Sequence, residues 1–372
     1  MPNTAIAART CRAEAHLESS AVLPWALVLA LVFTLALALP ACTTQHLTQL
    51  NQRLGLDHGD SLAASPPPEL PQGLAQLYAQ GAQALLANDS DGAISAWRQF
   101  MSQVAADLPQ ARKVRGYLTL LERDSARRFA QRAALGEKGA GYAQPPGAGN
   151  RLHVAVFPFD MQGPDTARKP ASTFNRAAVA LIMADLAQVP ALTVLEREKI
   201  DALFQETTLW RSGLVDAASI GPPARMLGAG TVIAGAVYSV PGLDGPGSGR
   251  YKINSAVSSV ADGKLVATQE ADGSQSEFYL LEKRIVYGIL KALKITDIPP
   301  AVRKIHTRNW SAYARFATGL SLQAEGRFAE ARQAFYAALQ FDPDFGLAEQ
   351  AYLDMPVKAT SVDDVRAELR SR

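Results

Sequence analysis

One stretch of the chain, residues 193–235, constrains the fold more than any other part of the sequence. The short run Thr193–Leu195 is β-branched and apolar, which is typical of a buried strand. Ile200 and Leu203 follow at helical spacing. A second β-branched run, residues 231–236, comes directly after a Gly-Ala-Gly sequence. Strands that alternate with helices in this way predict an α/β domain.

The order of residues in this stretch resembles the CsgG family of curli-export lipoproteins. Members of that family carry a Glu-Arg pair after a short strand, apolar residues and a Glu at fixed distances behind it, and a Gly-Ala pair before a strand that contains a Gly. The matching residues here are Glu196, Arg197, Ile200, Leu203, Glu206, Gly228, Ala229 and Gly235. The resemblance covers roughly residues 150–295. It implies a CsgG-like α/β sandwich, similar to anticodon-binding and TolB N-terminal domains, flanked by helical segments.

Arg197 lies at the start of the predicted helix, where the helix dipole does not favour a cation. We therefore expect it to have a carboxylate partner elsewhere in the chain, in an ion pair that holds the helix to the sheet. The alternative is that Arg197 contacts a partner protein.

The sequence around this stretch supplies the other elements of the α/β domain. Residues 152–159 form a continuous apolar run, which suits a strand that is buried on both faces. Residues 251–257 alternate along a further strand, Asp262-Gly263 predicts a turn, and residues 265–269 return. A helix with one apolar face follows at residues 276–293. We expect two or three layers.

The N-terminus resembles a bacterial lipoprotein signal. Residues 25–39 are apolar except for Thr34, basic residues precede them, and Leu39-Pro40-Ala41-Cys42 follows. The resemblance implies cleavage before Cys42, lipidation of that cysteine and, because Thr43 follows it, sorting to the outer membrane. The alternative is an uncleaved anchor at residues 21–41, which are about long enough to span a bilayer.

Composition divides the rest of the chain. Proline and serine at residues 56–72 indicate a tether, and glycine and proline at residues 136–150 indicate a linker. The predicted organisation is a signal peptide at residues 1–41, a lipid-anchored tether at 42–72, a helical segment at 73–135, a linker at 136–150, the α/β domain at 151–298, a helical hairpin at 299–356 and a charged tail at 357–372, in which residues 361–370 form a frayed helix.

Both helical segments resemble tetratricopeptide repeats, in which small residues let two helices approach each other. The N-terminal matches are Leu77, Gly81, Ala93, Trp97 and Phe100, followed by helices at residues 111–121 and 125–135. The C-terminal matches are Gly319, Leu322, Gly326, Phe328, Ala331, Phe335, Ala338 and Pro343. Since a single repeat cannot bury its own apolar face, we expect the second hairpin to pack on the α/β domain, on the N-terminal helices or on another chain.

The sequence gives no support for catalysis or for a cofactor. A net charge of +2 argues against nucleic acid as the main partner. No phosphate-binding loop or nucleophile elbow occurs, and the glycine-rich run 242–249 joins two strands. The five histidines show no metal-ligand spacing, and we expect His153 to be a hydrogen-bonded core residue.

The function that we expect is a non-catalytic binding component of curli-type export or another envelope process, anchored in outer-membrane lipid through Cys42. Curli exporters have long pore-forming hairpins, and the segments 241–249 and 270–275 are too short to supply them. The α/β core also resembles that of lipoproteins that activate peptidoglycan synthases, which is the main alternative. A ring-forming channel is the third. The expected partners are other envelope proteins, and self-association is left open.

Overall fold

The structure, a computed structural model, describes residues 47–54, 70–105, 108–134, 152–162, 170–206, 224–225, 227–240 and 249–371. It has two units, and of the first, Met1–Gln49, only three helical residues are described. The second unit is Leu50–Arg372, and all contacts below lie within it. The predicted signal peptide, the lipidation site at Cys42, the linker and most of the tether lie outside the described residues.

The described elements of the second unit alternate as an α/β protein with helices at both ends. The helices are α1 (Gln72–Leu86), α2 (Ser90–Met101), α3 (Pro109–Ala134), α4 (Pro170–Leu186), α5 (Arg197–Glu206), α6 (Phe278–Ala292), α7 (Trp310–Glu325), α8 (Phe328–Phe341), α9 (Gly346–Asp354) and α10 (Val362–Arg370). The strands are β1 (Leu152–Val156), β2 (Asp160–Gln162), β3 (Leu192–Val194), β4 (Thr231–Val240), β5 (Arg250–Ser259) and β6 (Leu265–Ser274). Residues 50–54 are also helical. No helix among the described residues is long and apolar enough to cross a bilayer.

One mixed sheet confirms the predicted α/β class. Its strand order is β3-β1-β4-β5-β6, and β2 also pairs with β4. Strands β1, β2, β3 and β4 run parallel, whereas β4, β5 and β6 form an antiparallel meander. The turn between β5 and β6 contains Gly263 with a φ of 69°. Strand β6 continues past the predicted end at Gln269, because Ser274 pairs with Arg250 at the start of β5.

Apolar cores lie on both faces of the sheet. On one face, the alternate residues Ile233 and Val237 of β4 belong to a core with α4 and α6. On the other face, Val232 lies in a second core with Ile200 and Leu203 of α5. Successive residues of a strand point to opposite faces, so a continuous apolar run serves both cores.

The two helical hairpins, α1–α2 and α7–α8, have the same internal contact. A Cβ atom added to Gly81 would overlap the indole of Trp97, and one added to Gly319 would overlap the ring of Phe335. Each glycine therefore lets an aromatic side chain of the facing helix approach the backbone. The predicted close approach of Gly319 and Phe335 is confirmed, while the assignment of either hairpin to tetratricopeptide repeats stays a prediction.

Helices from the two ends of the chain pack on each other. Helix α7 contacts α4 of the α/β core, α9 contacts α3, and α10 contacts α1 and α3. Residues 50–54 reach the same helices, since Arg53 pairs with Glu349. Of the three packing partners left open for the C-terminal hairpin, the structure shows the α/β domain, through α7 on α4, and a contact with the N-terminal helices, through Arg123 of α3 and the carbonyl of Ala324.

Two predictions about the helices were wrong. The segment 109–134 is one helix, α3, rather than two, since its sequence has no glycine or proline near residues 121–125 to interrupt it. The predicted frayed helix near the C-terminus is the packed helix α10. It has a capping box of Ser361 and Asp364, and its Glu368 accepts hydrogen bonds from Lys113 at 2.8 Å and from Tyr117 at 2.7 Å.

Candidate functional site

A groove crosses α3 where the first turn of α5 meets helices from both ends of the chain. It has two lobes, and Thr119, Glu122 and Asp354 line both of them. We call it the α3 groove. The smaller lobe has a volume of about 170 Å³ and lies beside Arg197. The larger lobe has a volume of about 510 Å³ and lies between α3 and α9.

Glu196 of the family motif ties α5 to the N-terminal helices. Its carboxylate lies 2.9 Å from the guanidinium of Arg98 in α2 and 3.0 Å from the ammonium of Lys199. The same guanidinium lies 2.9 Å from Glu122 of α3. Burial raises the pKa of Glu196, but hydrogen bonds from Lys199 and Arg98 outweigh that effect and leave the pKa below its usual value.

The expected role of Arg197 needs correction. Among the described residues, its ion-pair partner is Glu198, the next residue, at 3.7 Å. The long-range ion pair that we expected belongs to Glu196 instead, and it joins helix to helix rather than helix to sheet. Arg197 lines the smaller lobe of the α3 groove with its side chain 17% exposed. Contact with a partner protein remains a prediction.

Asp354, at the end of α9, lines the α3 groove and has a carboxyl group with a raised pKa. Burial raises the pKa of its carboxyl group to about 6, Arg115 opposes this, and Glu122 and Glu198 add to it. Within the described part of the chain, its carboxylate takes part in no ion pair or hydrogen bond; only its backbone carbonyl accepts one, from Thr119 Oγ1 at 2.7 Å. A partly buried carboxylate without a partner destabilises its surroundings unless a ligand supplies one.

Glu122 lines the same groove, and only one of its two carboxylate oxygens has a contact among the described residues. Both described contacts with Arg98 go to its Oε1 atom, and no described residue pairs with Oε2. Burial raises the pKa of Glu122 above its usual value; the attraction of Arg98 opposes this, and repulsion from Glu196 and Glu198 adds to it. The α3 groove therefore has two carboxyl groups with raised pKa values where its lobes meet.

The remaining family-motif residues are structural. Ile200, Leu203 and Ala229 are buried in the second core. Gly228 has a φ of 70°, which favours glycine. A Cβ atom on Gly235 would overlap the carbonyl oxygen of Asn254 across the β4–β5 ladder, so the strand needs glycine there. Helix α5 ends at Glu206 as predicted, and the side chain of Glu206 lies outside the described part.

The repeat-motif residues lie mostly inside the C-terminal helices. Gly326 ends α7 with a φ of 81°, which is the left-handed cap that glycine allows. The carbonyl of Pro343 accepts a hydrogen bond from Arg53 at 3.2 Å. The other matched positions are fully or largely buried, namely Gly319, Leu322, Phe328, Ala331, Phe335 and Ala338. None of these matched side chains lines the α3 groove except Phe328.

Sequence reasoning missed a buried charged cluster, which we call the Asp185 cluster: Asp185, Glu282, Lys283 and His306. Asp185 of α4 pairs with Lys283 of α6, and its other oxygen lies 2.9 Å from His306 Nε2. Lys283 also donates to the carbonyl of Val302 at 2.9 Å. The sequence did contain a signal for this cluster: Asp185 lies on the same face of α4 as the apolar residues Leu181 and Ile182.

The two carboxyl groups of the Asp185 cluster have pKa values that are shifted in opposite directions. Burial raises the pKa of Asp185, but hydrogen bonds from His306, Glu282 and Lys283 outweigh it and leave the pKa below its usual value. Burial, followed by repulsion from Asp185, raises the pKa of Glu282 well above its usual value. Glu282 therefore favours the protonated form.

A second correction concerns His153. It is buried on β1, as expected of a core residue, but its Nδ1 atom has no hydrogen-bond partner among the described residues, so the expected hydrogen bonding is not complete. In the same described ranges, no group of three or more histidine, cysteine, aspartate or glutamate side chains is placed to hold a metal ion.

Comparison with known proteins supports the family resemblance. The family model described as "Curli production assembly/transport component CsgG" matches residues 138–244. That range contains every family-motif residue from Glu196 to Gly235, and it fits an envelope protein with a binding role. The match does not reach the helices at either end of the chain.

Other comparisons add little. Among solved structures, the LpoB C-terminal domain from Salmonella enterica is similar with 13% sequence identity and a TM-score of 0.24, over 40% of this chain and 95% of that chain. A superposition of that quality does not establish a shared fold. No curated protein matches the chain.

Proposed function

We propose that this protein is a periplasm-facing outer-membrane lipoprotein that binds other envelope proteins, without catalysis, in curli-type export or a related assembly process. The observation that carries the proposal is the CsgG family match over residues 138–244, which contains Glu196 and Arg197 beside the α3 groove. The lipid anchor is proposed from the sequence around Cys42. The fold supports a binding role because helices from both ends of the chain meet the family-like domain at an open groove.

The anchor is tested by Cys42→Ser in the native host. We expect the wild-type protein in the outer-membrane fraction and the variant in the periplasmic fraction. A matched control is Cys11→Ser, which removes the other cysteine of the chain and should change nothing. A variant that stays in the membrane would contradict the lipoprotein proposal and support the uncleaved anchor at residues 21–41.

The partner class is tested by crosslinking in intact cells, followed by purification of the full-length protein in detergent. We expect components of an export apparatus among the crosslinked proteins, and we expect their recovery to fall when Cys42→Ser removes the anchor. Recovery of a peptidoglycan synthase instead would favour the regulatory alternative.

The size of the purified protein distinguishes the proposed accessory lipoprotein from a ring-forming export channel. We expect a monomer or a small oligomer by light scattering and negative-stain images. A closed ring would contradict the accessory role and favour an export channel.

A further inference from the structure

We propose that Tyr336 of α8, Pro343 and Glu349 of α9 form a docking site for a short amphipathic helix, and that the chain's own residues 50–54 occupy it. We call this surface the clamp site. Its occupation sets how far the folded body extends from Cys42. That consequence rests on the proposed function, because it requires lipid on Cys42, whereas the docking itself does not.

The first support is burial. Leu50 and Leu54 lie one helical turn apart, on the same face of the segment, and their exposed fractions are 2% and 1%. Both belong to the same apolar core as Phe345 and Ala348 at the start of α9. Two leucines four residues apart form the apolar stripe by which a short helix packs on other helices.

The second support is a set of polar contacts that flank the two leucines. The hydroxyl of Tyr336 donates to Asn51 Oδ1 at 2.8 Å. The guanidinium of Arg53 contacts both carboxylate oxygens of Glu349, through Nε at 3.3 Å and through Nη2, and its Nη1 donates to the carbonyl of Pro343 at 3.2 Å. A bidentate contact of this kind fixes the position of a helix as well as attracting it.

The third support is chain length. At about 3.5 Å per residue, the chain from Cys42 to Leu50 can extend at most about 28 Å, whereas the chain from Cys42 to Leu70 can extend at most about 100 Å. While the clamp site is occupied, the shorter limit holds and keeps the C-terminal helices near the lipid. Release of the helix gives the body the longer limit.

The linkage within one chain also favours the chain's own helix over a competitor. Residues 55–69 join the docked helix to the rest of the body. A linker of this length gives the helix an effective concentration in the millimolar range at the clamp site. A partner that presents the same two leucines and arginine therefore displaces it only by binding more tightly.

The docking is tested with a fluorescein-labelled peptide of residues 47–54, Leu-Thr-Gln-Leu-Asn-Gln-Arg-Leu, added to the full-length protein in detergent. In Leu50→Asp a charge replaces a buried leucine, so the chain's own helix should leave the clamp site. We expect fluorescence anisotropy to show binding to this variant, and at least about tenfold weaker binding to the wild type, in which the site is occupied.

A second peptide, with alanine in place of arginine, tests the chemistry of the site. It should bind Leu50→Asp more weakly than the first peptide does. The difference between the two peptides should disappear when Glu349→Gln is added, because the arginine then has no carboxylate to contact.

The reach is tested with the lipidated protein on vesicles that contain an acceptor-labelled lipid. Gln333→Cys places a donor dye on the exposed side of α8, one helical turn before Tyr336. We expect efficient energy transfer to the lipid in this protein. Adding Leu50→Asp should reduce the transfer, because the body is then held by the longer length of chain.

A charge exchange covers the case in which Leu50→Asp does not fold. Arg53→Glu places two carboxylates side by side at the clamp site and should also reduce the transfer. Arg53→Glu together with Glu349→Arg restores opposite charges and should restore the transfer. Recovery in the double variant distinguishes loss of docking from general misfolding.

Several results would overturn the inference: equal binding of the first peptide by the wild type and Leu50→Asp, no binding by either at millimolar concentration, or equal binding of the two peptides by Leu50→Asp. Energy transfer unchanged by both Leu50→Asp and Arg53→Glu would also overturn it. A protein that does not associate with vesicles contradicts the lipid anchor and the proposed function instead, and the peptide measurements in detergent do not depend on that anchor.

Discussion

The α/β core holds its flanking helices through two charged junctions that differ in burial. At the C-terminal junction, the Asp185 cluster is closed to solvent, with the side chain of Asp185 0% exposed and that of Lys283 8% exposed. At the N-terminal junction, Arg98 joins Glu122 and Glu196, and its side chain is 50% exposed. Within the described residues, the second junction opens into a groove in which the carboxylate of Asp354 has no hydrogen bond or ion pair.

This difference separates a junction that fixes the fold from one that is suited to binding. Removing one partner of a buried pair leaves an uncompensated charge in the core, whereas water replaces either partner of an exposed pair. We therefore expect substitutions in the Asp185 cluster to cost much more stability than substitutions at Arg98. In the α3 groove, in contrast, the partly buried carboxylate of Asp354 should lower the stability of the protein when nothing is bound there.

The largest effect is expected for Asp185→Asn. The substitution removes the charged partner at hydrogen-bond distance from buried Lys283 and leaves only Glu282, at 3.8 Å, as a carboxyl group beside it. The free energy of unfolding should fall by up to about 3–5 kcal/mol. Urea denaturation at pH 7 measures the change, and Asp344→Asn is the exposed control. A loss below that of an ordinary surface substitution would mean that the Asp185 cluster is not a structural junction.

The pH dependence of this effect has a defined sign. The pKa of Asp185 is lowered in the folded protein, so its contribution to stability is present above the unfolded pKa. The contribution is lost as pH falls through the folded pKa. The difference between the wild type and Asp185→Asn should therefore shrink in acid.

A double variant tests whether the buried charge causes the loss. Asp185→Leu alone strands Lys283, whereas Asp185→Leu with Lys283→Met removes both charges from the interior. We expect the double variant to recover about 1–3 kcal/mol relative to Asp185→Leu. Recovery should be incomplete, because His306 also loses its hydrogen-bond partner. If the loss in the double variant equals the sum of the losses measured for Asp185→Leu alone and for Lys283→Met alone, the cost comes from packing and not from charge.

The prediction of opposite sign is Asp354→Asn at the N-terminal junction. The pKa of Asp354 is raised from 3.8 to about 6, so the folded protein binds the extra proton and loses stability as pH rises through that interval. At pH 7 the variant should be more stable than the wild type by about 1–2 kcal/mol, after allowance for solvent in the groove.

The control for Asp354→Asn is the same measurement in acid. Below about pH 3 the wild-type carboxyl group is protonated in both the folded and the unfolded state, and the two proteins should unfold at the same urea concentration. A variant that is less stable at pH 7 would show that Asp354 has a stabilising partner and would weaken the case for a binding groove.

The sequence predicted the cores better than the junctions. Apolar spacing identified Ile200 and Leu203 as core residues, because burial leaves a local periodic pattern. The partner of Glu196 could not be found in this way, since Arg98 lies far away in the chain and exposed charges have no fixed spacing. The sequence analysis therefore predicted the long-range ion pair for Arg197, whereas the structure shows it for Glu196.

Other misses have different causes. The capping box of Ser361 and Asp364 was visible in the sequence, but the packing that orders α10 depends on α1 and α3, which are distant in the chain. Asp185 was also visible, as a charged residue on an apolar face, and such a residue predicts a buried partner. Its partner Lys283 follows the same rule in α6, where Leu281 and Ile285 are buried.

The smallest effect is expected for Arg98→Ala at the exposed junction. Because the guanidinium is half exposed, its two ion pairs should contribute only about 0.2–1 kcal/mol, and salt should screen them. Urea denaturation at low and at high salt should show a loss that nearly disappears as salt rises, whereas the loss in Asp185→Asn should persist because the Asp185 cluster is closed to ions. A salt-independent loss of several kcal/mol in Arg98→Ala would make the two junctions alike and would remove the basis for treating the N-terminal one as a binding surface.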